Sequence, residues 1–140
     1  MLRLGGYLNI LISVGHLVGL FWADKMFEVT GIGNEMTKLA QTNAALPYLL
    51  TVFVAIVFFV FGLYGLSADY KFTKLPFLKP AIFIIAGIYL VRGFGELIGD
   101  SVQGTNSATE TLYSSIAIGI GLLFLIGGLK KWKLTKTYRA

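Results

Sequence analysis

Residues 46–68 read LPYLLTVFVAIVFFVFGLYGLSA, a run without one charged side chain. The apolar positions are continuous. They show neither the period-two alternation of a half-buried strand nor the polar stripe of a helix lying on water. At 1.5 Å rise per residue, about 20 helical residues cross a hydrocarbon core about 30 Å thick. In hydrocarbon every backbone N–H and C=O must be bonded within the segment or around a closed barrel, and barrel strands alternate. The stretch therefore reads as a membrane-spanning α-helix.

Working outward, three more stretches of the same kind appear, giving spans at about 4–22, 46–68, 80–98 and 111–129. Pro47 and Pro80 stand where a helix start tolerates a missing N–H. Trp22, Tyr48, Tyr70, Tyr113 and Trp132 fall near the span ends, as an aromatic belt does. Gly99-Asp100 closes the third span, and Gln103-Gly104-Thr105-Asn106-Ser107 reads as a loop. The first stretch resembles a signal peptide only superficially. It carries Asn9 and His16 and has no small-x-small cleavage site, so it reads as a retained span. The expected fold is all-α: one integral membrane domain over residues 1–140, a four-helix bundle.

Composition agrees. Apolar residues make up 56% of the chain and charged residues 14%, against about 25% charged in soluble domains, and the mean hydropathy is +0.75. With no cysteine there is no disulfide framework, thiolate nucleophile or Cys-based metal site. The net charge of +5 does not point to nucleic acid. Five of the twelve basic residues lie in the tail 130–140, directly after an apolar span, where orientation and anionic lipid explain them.

Arg3, the second-loop Lys71, Lys74 and Lys79, and the tail residues Lys130, Lys131, Lys133, Lys136 and Arg139 all fall on one side. The first loop offsets Lys25 and Lys38 with Asp24, Glu28 and Glu35, and the third has no Lys or Arg. Both termini are thus expected in the cytoplasm. The first loop, 23–45, is long. Gly31 and Gly33 break it, and Asn34 is placed to cap a helix running through Glu35, Met36, Lys38 and Leu39. The simpler reading is that this helix is the second span projecting beyond the bilayer. The sharper one is an interfacial lid with Met26, Phe27 and Val29 as its apolar face. A Gly-Leu exit followed by an aromatic-Lys tract after both the second and fourth spans hints at a parallel hairpin duplication.

Helices in lipid associate through small residues. Gly15/Gly19 and Gly95/Gly99 are GxxxG pairs. They serve internal packing or a homo-oligomer interface, and the motif alone does not choose.

The chemistry lies in polar groups inside the spans. A mid-span charge costs about 2.5–3.5 kcal/mol on insertion scales, so it is rarely left to lipid. Arg92 and Glu96 are one turn apart on one face and form a charge-assisted pair, with Tyr89 beside them. His16, the only histidine, is expected at the depth of Arg92, with Asn9 and Ser13 in its own stripe. Thr51 and Tyr48 enter the second span, Ser114 and Ser115 the fourth. All except Asn9 are expected in the outer half, around an outward-opening pocket. The candidate ligand-binding residues are Arg92, Glu96, His16, Tyr89, Ser13 and Thr51. The bland alternative is that Arg92 and Glu96 merely neutralise each other while His16 bonds between helices. No catalytic or metal set and no cofactor is read. A lone histidine makes a zinc site unsupported, haem lacks a second intramembrane ligand, and no GxSxG or Walker motif is present.

Leu46-Pro47-Tyr48, Gly62-Leu63-Tyr64, Leu75-Pro76, Tyr89 and Arg92-Gly93 resemble a group of small bacterial four-span membrane proteins of unknown function, broadly similar to the DoxX-like proteins. The resemblance covers roughly Gly5 to Ile98. It implies a bundle in the bacterial inner membrane, gives Arg92 more weight than Glu96, and implies no activity. The expected function is binding of a small molecule, quinone or lipid headgroup in the intramembrane pocket, rather than enzymatic turnover. An oligomeric proton-coupled transporter using Glu96 and an accessory subunit of a larger complex are the other readings.

Overall fold

The computed structural model of the chain describes residues 1–69, 75–103 and 108–137. These residues are almost entirely helical: α1 (Leu2–Gly19), a single 3-10 turn (Leu20–Trp22), α2 (Ala23–Val29), α3 (Gly33–Thr42), α4 (Leu46–Asp69), α5 (Leu78–Gln103) and α6 (Ala108–Thr137). Four stretches are long and apolar enough to cross a membrane: Leu2–Val29, Leu46–Asp69, Leu78–Gly99 and Ala108–Lys133. The protein is a multi-pass membrane protein built as a four-helix bundle. The start of α1 and the end of α6 lie at one end, here the terminal side, and α2 and α3 lie at the other, the hairpin side.

The bundle is two tightly packed antiparallel pairs, α1 with α4 and α5 with α6, with fewer contacts between the pairs. Small side chains make the close approach possible. On α1 the buried face carries Gly5, Gly6, Asn9 and Ser13, and on α4 it carries Thr51, Ala55, Gly62 and Gly65. The large residues Leu11, Phe53, Ile56 and Phe59 point outward instead. This inverts a soluble core, because lipid offers leucine no penalty and helix pairing gains only from backbone proximity. A Cβ added at Gly65 would lie 2.8 Å from Gly6 Cα, and one at Gly62 would lie 3.0 Å from Gly6 O. The α5/α6 pair uses Gly93, whose Cβ would meet Ser114 O at 2.9 Å.

The GxxxG pairs singled out in the sequence are therefore not the packing glycines. Gly15, Gly95 and Gly99 have nothing within 4 Å of an added Cβ, and Gly19 meets only the Met26 side chain. The glycines joining α1 to α4 cluster near the terminal side, whereas on the α5/α6 pair Gly93 lies toward the hairpin side and Gly128, against Ile82 and Phe83, toward the terminal side.

Several boundaries differ from the sequence expectation. The first span turns through a 3-10 segment at 20–22, and α5 starts at Leu78, two residues before Pro80. The last helix runs on to Thr137, so the tail after 129 begins as helix. The second span does not project beyond its start. Asn43 is extended (φ −158°, ψ 125°), its Oδ1 accepts from Ala45 N–H at 2.9 Å, and this Asx turn separates α3 from α4. The capping position of α3 is Ile32, and Asn34 lies inside the helix. The long loop is thus a two-helix segment turning at Gly31, where φ is +78° and glycine fits without Cβ strain. Phe27 is buried and Met26 half-buried beneath it, whereas Val29 is exposed, so two of the three residues expected on its apolar face point inward. Tyr70 and residues 104–107 of the third loop lie outside the described residues.

On the terminal side, cations cap α4. Lys131 Nζ donates to Ala68 O, and Arg3 Nη2 donates to Asp69 O at 3.2 Å. The last carbonyls of a helix have no intrahelical donors and carry partial negative charge, so this is where cations stabilise it.

Candidate functional site

A cavity of about 530 Å³ lies in the hairpin-side half of the bundle, lined from all six helices. Its walls are largely apolar (Ile12, Val54, Phe58, Ile116, Ile120), and its roof is Met26, Phe27, Ile32 and Met36 from α2, the Gly31 turn and α3. Ligand sites are typically clefts of about 300–1,000 Å³ with apolar walls and a few convergent polar groups. Here Arg92 and His16 provide those groups.

Arg92 and His16 each stand fourteen residues beyond the start of their helix, α5 at Leu78 and α1 at Leu2. Both helices start on the terminal side, so both residues sit about 21 Å along it. Arg92 Nε donates to Glu96 Oε1 at 3.1 Å, and Ser114 Oγ donates to Glu96 Oε2 at 3.1 Å. Glu96 is thus held on both oxygens by its own helix and by α6, and it fixes one edge of the guanidinium. The two terminal amino groups of Arg92 carry no bond to the described residues, and the side chain is 56% exposed. The guanidinium is not buried among the helices as expected. It stands at the half-open cavity with its bidentate edge unused. A planar fork of this kind matches carboxylate or phosphate oxygens.

His16 Nδ1 is 2.8 Å from Ile12 O. A carbonyl only accepts, so Nδ1 carries the hydrogen and Nε2 is the nitrogen left for a ligand. The ring packs against Phe58, centroids 5.2 Å apart.

The other candidates divide. Tyr89 and Thr51 line the cavity, but their hydroxyls are engaged elsewhere: Tyr89 OH donates to Asn9 Oδ1 at 2.6 Å, and Thr51 donates to Pro47 O at 2.8 Å. They shape the floor and wall. Ser13 does not line the cavity. It donates to Ala55 O at 2.7 Å and joins α1 to α4. Glu96 does not line it either; it acts only through Arg92 and Ser114. Among the described residues, no group of three or more His, Asp or Glu gathers that could hold a metal ion.

Two residues carry more than the sequence reading gave them. Asn9 was set apart from the pocket, yet it is fully buried and holds the phenol of Tyr89. Helical side chains lean toward their helix N-terminus. Tyr89 therefore reaches back toward the terminal side and meets Asn9, a level below its own Cα. The signal was available, because Asn9 sits seven residues before His16 on the same stripe. Tyr113, placed in the aromatic belt, instead turns inward and lines the cavity, half-buried. Comparison with family models, with curated proteins and with solved structures finds no match to this chain.

Proposed function

We propose that this protein binds a small molecule, quinone or lipid headgroup in the hairpin-side cavity, within the bacterial inner membrane and with both termini in the cytoplasm. The orientation is supported by the Lys and Arg bias toward the terminal side; it makes the cavity open away from the cytoplasm. The observation that carries the reading is an arginine that lines a largely apolar cavity, fixed at Nε by Glu96 and with no bond from its terminal amino groups to the described residues. The ligand meets that edge with a carboxylate, phosphate or carbonyl oxygen. His16 Nε2 meets it with an acceptor, and its apolar part lies against Ile12, Val54, Phe58 and Ile120. The remaining pairing is structural: Glu96 orients the guanidinium, and Tyr89 with Asn9 closes the floor.

A ligand-loaded protein released from mild detergent is expected to show a bound mass in native mass spectrometry. Arg92→Ala removes a charge-assisted pair of bonds, each worth about 1.5–3 kcal/mol, and is expected to weaken binding of anionic lipids or quinones by about tenfold or more. No bound mass, together with thermal shifts that ignore Arg92→Ala, would rule the reading out.

A further inference from the structure

The open polar atoms on the cavity wall differ in kind, and the difference narrows the ligand. We infer that the occupant is a hydroxylated organic acid, with an apolar body, an anionic oxygen for Arg92 and a separate O–H donor for His16 Nε2. This rests on the reading of the cavity as a binding site and names the class of molecule that the site takes.

The polar atoms sort by the bonds they already make. Every buried side-chain nitrogen or oxygen of the described residues has a hydrogen-bond partner. His16 is half-buried and lines the cavity, and its one bond joins Nδ1 to Ile12 O. Nε2 has no partner among the described residues, so it is not one of the buried atoms and stays accessible from the space beside the ring. Because Nδ1 carries the hydrogen, Nε2 of the neutral imidazole holds a lone pair and only accepts. Turning the ring to offer an N–H instead would break the 2.8 Å bond to Ile12 O and disturb the packing on Phe58.

Arg92 is the opposite kind of group. Its terminal amino groups bond to none of the described residues and only donate. Both residues stand about 21 Å along their helices from the terminal side. At that level the cavity therefore wants an acceptor at one residue and a donor at the other. Tyr113 is a third open group. It is half-buried, lines the cavity, and its hydroxyl has no partner among the described residues. Its neighbour Ser114 bonds to Glu96, so Tyr113 stands about one turn, roughly 6 Å, nearer the roof than Arg92. A phenol donates or accepts, so it suits either kind of ligand.

This pattern separates the candidate ligands. A phosphodiester headgroup and an oxidised quinone carry acceptors alone. Either one satisfies Arg92 but covers Nε2 without giving it a donor, and a lone pair cut off from water loses a hydrogen bond. An amine has the reverse fault, because it serves Nε2 and repels the guanidinium. A hydroxylated acid satisfies both groups, and Ile12, Val54, Phe58 and Ile120 take its apolar body. A site that bonds a substrate O–H rejects the analogue lacking it, since its own polar atom is then left unpaired.

The test uses the full chain in nanodiscs of zwitterionic lipid at about pH 8, above the usual imidazole range, with empty nanodiscs as the blank. The probes are the meta and para isomers of hydroxyphenylacetate, each beside its methyl ether, and the readout is affinity by isothermal titration. The ether keeps the carboxylate and the ring and removes only the donor. Wild type is expected to bind at least one phenol about tenfold tighter than its ether. His16→Phe keeps a ring against Phe58 and should remove that preference by weakening the phenol. Arg92→Ala should weaken phenol and ether alike and leave their ratio. Equal affinity of wild type for phenol and ether in both pairs overturns the inference, and this comparison needs no variant. A preference that survives His16→Phe, or that Tyr113→Phe removes in its place, overturns it as well. If no probe binds, or binding ignores Arg92→Ala, the reading of the cavity as a binding site fails first and the inference falls with it.

Discussion

The bond between Tyr89 and Asn9 joins the two helix pairs inside the bundle, and its contribution can be isolated. Tyr89→Phe deletes one oxygen and keeps the ring against Phe58 and Phe61, centroids 6.3 and 6.2 Å away. Asn9 Oδ1 is then left without its donor in a side chain with no exposed surface, while Nδ2 keeps its bond to Gly5 O at 2.8 Å. In water-soluble proteins an orphaned buried acceptor costs about 1–3 kcal/mol. Interhelical bonds measured in bilayers average about 0.6 and reach about 1.7 kcal/mol, because the unfolded chain in the membrane also finds partners. The 2.6 Å length and complete burial here favour the upper part of the membrane range, about 1.5 kcal/mol. Asn9→Ala should cost more, since it also leaves a void and abandons the phenol. The double variant should cost less than the two singles together, with a coupling of about 1 kcal/mol. Reversible unfolding in mixed micelles of rising SDS fraction, followed by circular dichroism, measures all four corners of the cycle. Additivity to within about 0.3 kcal/mol would show that the two groups do not support each other and that the floor is held by packing alone.

Gly65→Ala forces Gly6 away from α4 and is expected to cost about 1–3 kcal/mol, whereas Gly95→Ala, with open space around it, should be neutral or stabilising by up to about 1 kcal/mol; equal effects in the same unfolding assay would refute the assigned packing faces. Glu96→Gln frees one edge of Arg92 without removing the guanidinium, so binding of an anionic ligand should weaken less than in Arg92→Ala, and an effect as large as that of Arg92→Ala would mean that Glu96 itself meets the ligand. The chain has no cysteine, so single cysteines report topology cleanly. In intact cells a membrane-impermeant maleimide should label Lys38→Cys on α3 and spare Lys133→Cys on α6, and the opposite pattern would invert the proposed orientation.

The spans were legible because hydrocarbon imposes a length and forbids unpaired backbone, and both demands are written in composition alone. The matching depth of His16 and Arg92 was legible too, since counting residues along two helices that start on one side needs only the helical rise. The packing glycines were not. Gly6, Gly62 and Gly65 form no GxxxG pair, while Gly15 and Gly19 do; a glycine's role depends on what faces it, and facing is a relation between helices. The break at Asn43 escaped for a related reason. Good helix formers flank the break on both sides, and a single Thr42-Asn43 step does not by itself predict the Asx turn that its geometry reveals.

By itself the sequence determined the class, the number of the spans, and which few polar side chains would enter them, because burial in lipid is costly enough to be decided residue by residue. Only the tertiary structure decided which of those side chains keeps a free edge. Ser13, Thr51, Tyr89 and Glu96 spend their polar atoms on neighbours, while the terminal amino groups of the cavity-lining Arg92 bond to none of the described residues. Hydrogen bonds between helices are short-ranged and directional, so their assignment waits until the helices have found each other.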